Sequence, residues 1–428
     1  GCPSPLVKEL VGVMEAVDRE GLKPSDYHLD AIRERAAAAM AGGCAQGKWP
    51  QEEAANLDLL LSDAFLLLGS HLLGGRINPE TLDPEWHAQR KAVDLPALLK
   101  ASLASRKIAD ALNGLRPPQE EYGRLTRALT SQLELINRGG WPVVDHEAEL
   151  KHGDSGERVK QLRARLAAEG FIKAGDSAQY DEALQGAVSA FQSHHGVKAT
   201  GAVDAATLKQ LNVSAQDRAM QMAMNLERWR WLPADLGRRH VLVSVPSYWV
   251  SLMQDGKEVL GMKAVVGKHY RRTPLLSSAI KAVVLNPYWS VPHKIAVKDV
   301  IPKIRKDPNY LKESGITVMT GWKDGGKEVD PKSVTWRGAT MKNFKMRLRQ
   351  KPGPKNALGR IKFTFPNKFD VYLHDTPLKE FFEQDERTFS SGCIRLERAF
   401  DLAVQLLDGK KGWTQEKIES VLRGSVET

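Results

Sequence analysis

Cysteine is scarce in this sequence: Cys2, Cys44 and Cys393 are the only three in 428 residues. An odd number without a C-x-x-C pair excludes a zinc ribbon and a thioredoxin-like redox motif. In an oxidising compartment Cys2 and Cys44 would be free to pair, leaving Cys393 as the single thiol. The eleven histidines include no H-E-x-x-H. The nearest approach, His146-Glu147 in "DHEAEL", lacks the second histidine, so no metal chemistry is expected. An uninterrupted apolar run is also missing. The most apolar window, "LDLLLSDAFLLLGSHLLGG" at 57 to 75, contains Asp58, Asp63 and His71. A membrane span of about 20 residues tolerates such groups poorly, so this reads as a buried helix. No signal sequence opens the chain, and the abrupt start at Gly1 points to a trimmed end that says little about targeting. Basic runs interleaved with aromatics are limited to "KHYRR" at 268 to 272 and "KIRK" at 303 to 306, so nucleic acid is not expected as a partner.

What is present is a formal charge of +10, 42% apolar residues and enough chain for about two to four domains. The charge suits an anionic partner without choosing one. Residues 1–147 read as a helical scaffold: Leu6, Leu10, Val13 and Val17 recur at helical spacing, an Ala-rich run follows near 36 to 41, and "RPPQEE" at 116 to 121 opens a further helix. Residues 148–213 are more specific. A Gly-Asp-Ser-Gly turn at 153 to 156 precedes a helix with Val159, Leu162 and Leu166 on one stripe. A second helix carries Leu184, Val188 and Phe191, and "TGAVDAATLKQL" adds a turn and a third. His194 and His195, beside Gly196, read as a helix C-terminus rather than as metal ligands. This segment resembles the three-helix peptidoglycan-binding domain, and the resemblance implies a wall polymer as the anionic partner.

From 214 to 428 the expected architecture is β-rich, making the whole a multidomain α+β protein. "RHVLVSVPSYWVSLMQDGKEVLGMKAVVG" alternates around Asp255-Gly256 as a hairpin does, and "AIKAVVLNPYWSVP" reads as another strand. Residues 293–345, rich in lysine and including "KDGGKE", are too long for a connection and read as an inserted lid subdomain. In "FDVYLHD" a strand would turn Phe369, Val371 and Leu373 to the core and Asp370, Tyr372 and His374 to the other face. His374 would then stand at an exposed strand end. Cys393 follows 19 positions later in "RTFSSGCIRLE". Leu396, Phe400, Val404 and Leu407 trace a helical face, which would place Cys393 just before a helix N-terminus, where the dipole and an imidazolium lower a thiol pKa. Gly392 lets the backbone approach a substrate, and the amides of Gly392 and Cys393 are candidate donors to an oxyanion.

"HDTPLKEFFEQDERTFSSGCIRLE" resembles the signature of the YkuD-type L,D-transpeptidases: a histidine, about fifteen residues, then Ser/Thr-x-Gly-Cys and a basic or amide residue two positions on. With a peptidoglycan-binding domain, a helical scaffold and a long insertion, the chain is similar to the large YcbB-like Gram-negative members. The resemblance implies that Cys393 is the nucleophile and His374 the base, with the Asp375 carbonyl orienting the imidazole. Arg395 would lie on the substrate side, Tyr372 would form a pocket wall, and Ser391 stands where many members have histidine. A surface ion pair from Arg395 to Glu397 or Asp401 is the structural alternative for that arginine. The resemblance further implies no cofactor, a periplasmic location with any inner-membrane tether outside these residues, and roles in wall biogenesis and cell shape. Partners would be peptidoglycan stem peptides, glycan, carbapenems and cell-wall synthesis proteins. The expected reaction is a third-to-third diaminopimelate crosslink through a thioester, releasing D-alanine. Rival readings are an L,D-carboxypeptidase or endopeptidase, lipoprotein attachment, and a non-catalytic wall-binding scaffold.

Overall fold

The computed structural model describes residues 2–42, 44, 47, 49–82, 92–145, 149–321 and 326–428. His146, Glu147 and the first half of "KDGGKE" lie outside the described residues. The chain divides into two compact units, Gly1–Leu236 and Gly237–Thr428.

The first unit is helical. Helices Leu6–Ala16, Leu29–Ala41, Gln51–Gly74, Leu95–Ser105 and Ile108–Asn113 share one core in which Met14, Ile32, Phe65, Leu68, Leu72 and Leu112 are buried. Gln51–Gly74 is long and apolar enough to cross a membrane by length and composition. Here it instead turns Leu57, Phe65, Leu68 and Leu72 into the scaffold, as the interrupting Asp58 and Asp63 led us to expect, and leaves Leu59 at the surface. A disulfide joins Cys2 to Cys44.

Three further helices, Glu157–Ala168, Glu182–His194 and Ala205–Leu211, bury the expected stripes, Val159, Leu162 and Leu166 against Leu184, Val188 and Phe191. Asp181 and Asp204 cap two of these helices, accepting from the Leu184 and Thr207 amides at 2.8 Å each. Such caps contribute about 1 kcal/mol each. Gly196, at φ 68°, follows the His194-His195 end. Tertiary packing departs from the expected boundary at 214. Helix Ala215–Arg230 belongs to the first unit, where Ala219 and Leu226 pack with Tyr122 and Leu129 of helix Glu120–Asn137. Arg230, almost fully buried, donates to the Glu20 carbonyl and to the Tyr122 hydroxyl, which itself donates to Glu20 Oε2. Removing either partner would strand a buried charge, so this network ties the helix to the scaffold.

The second unit contains strands β1 Arg239–Ser244, β2 Trp249–Gln254, β3 Lys257–Val265, β4 Ala282–Leu285, β5 Trp289–Ser290, β6 Ile316–Met319, β7 Glu328–Val329, β8 Arg347–Gln350, β9 Ile361–Thr364, β10 Leu373–His374 and β11 Ile394–Leu396. Seven form one sheet in the order β1-β2-β3-β11-β10-β9-β4. Every pairing is antiparallel except β10 with β11. The expected hairpin joins β2 to β3 through Asp255 and Gly256, at φ 49° and 76°, the left-handed pair that such a turn requires. One face carries Val250, Leu252, Leu285, Phe363, Leu373, Ile394 and Leu396 into a core closed by helices Ala399–Leu407 and Gln415–Arg423.

The stretch read as one strand at 279 to 292 is two. Asn286, at φ 51°, bends the chain, and β5 leaves the main sheet for a second one ordered β5-β8-β6-β7. That sheet has its own core of Val291, Ile301, Ile304, Val318, Phe344 and Leu348. The inserted region is therefore a packed subdomain running from Trp289 to Gln350, rather than an irregular loop.

Candidate active site

Two short strands at the centre of the main sheet place the groups that the sequence singled out. β10 and β11 run parallel with Leu373 opposite Ile394 and His374 opposite Arg395. Leu373, Ile394 and Leu396 point to the core. Alternation therefore puts His374 and Arg395 on the other face, with Tyr372 and Cys393 one step earlier on the same face. Cys393 and His374 are thus diagonal neighbours on adjoining strands. β9 adds Lys362 directly opposite His374. Lys362 was not singled out from the sequence. The signal was present in "RIKFTF", where Ile361 and Phe363 take the core and turn Lys362 to the histidine's face.

The strand expected over "FDVYLHD" is cut short because Asp370 adopts φ 55°. His374 is not exposed: 4% of its surface is accessible. Its Nδ1–H donates to the Asp375 carbonyl, which leaves Nε2 as the basic atom. The Asp375 carboxylate meanwhile accepts from the Arg360 amide at 2.9 Å and from Lys379 Nζ at 2.7 Å. Burial, then the charge of Arg395, depress the His374 pKa to about 3, with Lys362 acting in the same direction. The imidazole is neutral at rest, contrary to the imidazolium expected beside Cys393.

Cys393 precedes a strand, not a helix. Ile394 and Leu396 are both buried with period two, and the helix begins only at Ala399, too far for its dipole to act on the sulfur. The thiol pKa is consequently raised, with burial as the main cause; Tyr372, Lys362 and Arg395 oppose it. The thiol itself donates to the Asp370 carbonyl at 4.0 Å. The tyrosine ring lies edge-on to the imidazole, centroids 5.6 Å apart. Lys362 Nζ lies 4.1 Å from the centre of the same ring. Tyr372 thus packs between the imidazole and the Lys362 ammonium.

Gly392 sits at φ 117°, a region that side-chain-bearing residues rarely occupy, and a Cβ there would lie 3.3 Å from the Arg272 carbonyl. Its amide is not an open oxyanion donor, because it donates to Ser390 Oγ at 3.1 Å, while that hydroxyl donates to the Cys393 carbonyl at 2.6 Å. The Cys393 amide has no partner among the described residues. Ser391 is exposed and accepts from Arg271 Nη1 at 2.9 Å. Arg271 also pairs with Asp299 of the insertion, Nη2 to Oδ1 at 3.0 Å. Arg395 pairs with neither Glu397 nor Asp401. Glu397 accepts from the Lys263 amide and Asp401 from Arg398, while Arg395 Nε and Nη1 are buried without a hydrogen-bond partner. No group of three or more His, Cys, Asp or Glu able to hold a metal occurs among the described residues.

A half-buried thiol, a neutral imidazole on the next strand and a guanidinium without an ion-pair partner among the described residues are the groups that thiol-based acyl transfer needs. Residues 238–414 match the YkuD family, described as "L,D-transpeptidase catalytic domain". Residues 1–129 match "Scaffold domain" and residues 155–211 "Putative peptidoglycan binding domain". A Haemophilus influenzae protein named "Putative L,D-transpeptidase" is 37% identical over 216 residues, 50% of this chain. The match spans 42% of that relative's length. A solved L,D-transpeptidase structure from Xylanimonas cellulosilytica is 15% identical, covering 63% of this chain and 95% of its own, at a TM-score of 0.18, on which no argument rests.

Proposed function

We propose that this protein is a periplasmic peptidoglycan L,D-transpeptidase that joins diaminopimelate residues of neighbouring stems, third position to third, through a Cys393 thioester. The observation that carries the reading is Cys393 and His374 on one face of adjoining parallel strands, with Arg395 unpaired beside them. The reading divides the chain into a scaffold, a wall-binding segment and a catalytic domain whose insertion covers the site.

Cys393 Sγ attacks the carbonyl of the third donor residue while His374 Nε2 takes the thiol proton. A thiol and imidazole that are neutral together avoid a buried ion pair before substrate arrives. A stem carboxylate placed against Arg395 and Lys362 would offset the two charges that depress His374, making it a stronger base once substrate is bound. The carbonyl oxygen, now anionic, is met by the Cys393 amide. The C–N bond then breaks, His374 returns its proton to the departing D-alanine amine, and a thioester remains. In the second half the side-chain amine of an acceptor stem attacks, His374 takes its proton, and the sulfur leaves as thiol. Carbapenems would acylate Cys393 by the same first step. The insertion, paired through Asp299 with Arg271, which also donates to Ser391 of the cysteine loop, would keep water from the thioester.

Mass spectrometry after incubation with disaccharide-tetrapeptide tests this, with Cys393→Ala as control. The expected product is a dimer equal to two monomers less one alanine, absent in the control. Tripeptide alone would identify a carboxypeptidase, and a dimer formed equally by the control would overturn the role of Cys393.

A further inference from the structure

The basic charge of this protein is not spread over it. Residues 289–355, the inserted subdomain and the five residues that follow it, hold sixteen Lys and Arg against six Asp and Glu, a net of +10, which equals the charge of the whole chain. The other 361 residues are therefore balanced. Residues 148–213, where sequence resemblance had placed the anionic wall polymer, carry eight basic and eight acidic residues. The charge lies in the inserted subdomain.

Of its cations, Arg305 donates to the Trp336 and Ala339 carbonyls and Lys355 to that of Glu313. None of the described Lys or Arg side chains of 289–355 forms an ion pair with a described acid. Asp299, one of the few acids, is taken by Arg271 from outside the insertion. The helical run from His293 to Lys306 exposes Lys294, Lys298, Lys303, Arg305 and Lys306, and the later loop exposes Lys342 and Lys345. Arg347 and Arg349 lie on the β8 face opposite buried Leu348 and Gln350. Arg347 Nε has no partner, and the Arg349 guanidinium stacks 3.6 Å over Tyr288. Like charges crowded on one small subdomain repel one another. Nothing in its core of Val291, Ile301, Val318 and Leu348 requires them, and an external polyanion would relieve their repulsion.

We infer that the inserted subdomain is an electrostatic docking surface for a carboxylate-bearing polymer, which gathers anionic stems of the wall beside Cys393. The 148–213 segment does not supply this attraction. That the polymer is peptidoglycan rests on the proposed function; that the surface takes a polyanion does not. The field of such a patch raises the local concentration of anionic groups and weakens as salt screens it.

The test is co-sedimentation of the full chain, as Cys393→Ala so that no chemistry enters, with purified peptidoglycan sacculi at low and at physiological salt. One variant carries Lys294→Gln, Lys298→Gln, Lys306→Gln, Lys342→Gln and Lys345→Gln. A control variant carries Lys8→Gln, Lys23→Gln, Lys100→Gln, Lys107→Gln and Lys410→Gln, the same change of net charge placed outside both the insertion and the 148–213 segment. All ten lysines are exposed, and thermal unfolding checks that both variants fold. The expected result is a loss of affinity of about 10-fold for the insertion variant at low salt, little for the control, and convergence of all three proteins as salt rises. Equal losses in both variants, or none in either, would overturn the assignment. So would an insertion variant that keeps sacculus binding but loses binding to phosphatidylglycerol vesicles, since the polyanion would then be a membrane. Because binding is read without catalysis, a failure here is distinct from a failure to release D-alanine.

Discussion

His374 makes acid the sharpest probe of the catalytic unit. The unfolded chain binds a proton at this side chain near the ordinary value of 6.5, whereas the folded protein resists until about pH 3. Between those values the unfolded state holds the extra proton, so folding stability falls as pH drops through this window, while above 6.5 it is unaffected. Integrated from pH 7 to pH 4, the single group costs about 3 kcal/mol, and with 4% of its surface accessible there is little solvent to screen it. Hydrogen exchange of peptides covering 361–374 and 394–407, corrected for intrinsic rates, reports the opening free energy of these strands. Wild type should lose about 3 kcal/mol more between pH 7 and 4 than His374→Gln. Carboxylates that lose stability in acid do so in both proteins and cancel. Equal losses in the two would refute the argument that burial, Arg395 and Lys362 hold the imidazole neutral.

The same electrostatics predict that Cys393 is a sluggish nucleophile at rest. Its alkylation by iodoacetamide at pH 7 should be slower than that of a free cysteine, because burial raises the thiol pKa. Lys362→Met removes a cation that opposes this rise, so alkylation at pH 8 should slow further, by several-fold. Gly392→Ala must hold φ near 117° with a Cβ 3.3 Å from the Arg272 carbonyl. It should cost about 1–3 kcal/mol in denaturant unfolding of the catalytic unit and reduce D-alanine release more than Ser391→Ala does. In the first unit, reducing the Cys2–Cys44 disulfide opens a loop of 42 residues. That should lower unfolding stability by about 4 kcal/mol, with Cys2→Ser/Cys44→Ser reproducing the loss under oxidising conditions.

Wherever one apolar face faced one core, the sequence was enough. The stripe of Val159, Leu162 and Leu166, the hairpin at Asp255-Gly256 and the alternation that sets His374 opposite Leu373's face are local periodicities, and each survives in the fold. The Gly-Cys turn was equally legible, because a cysteine among serines and glycine has no core to explain it. Misreadings arose where short and long periods overlap. Ile394 and Leu396 fit a strand as well as Leu396 and Phe400 fit a helix, and only pairing with β3 and β10 decides for the strand.

Charge states were beyond the sequence altogether. Whether Cys393 is thiol or thiolate depends on how much water reaches it and on which cations neighbouring strands bring near. Lys362 and Arg395 are 33 residues apart in sequence, yet both lie opposite His374 on its two neighbouring strands. The sequence alone determined the elements with a single clear period, the nucleophile's unusual setting and the total charge of +10. Tertiary structure decided which groups share a face, which are dry, and that none of the described cations of 289–355 is ion-paired, because desolvation and Coulomb interactions depend on distances in space rather than positions along the chain.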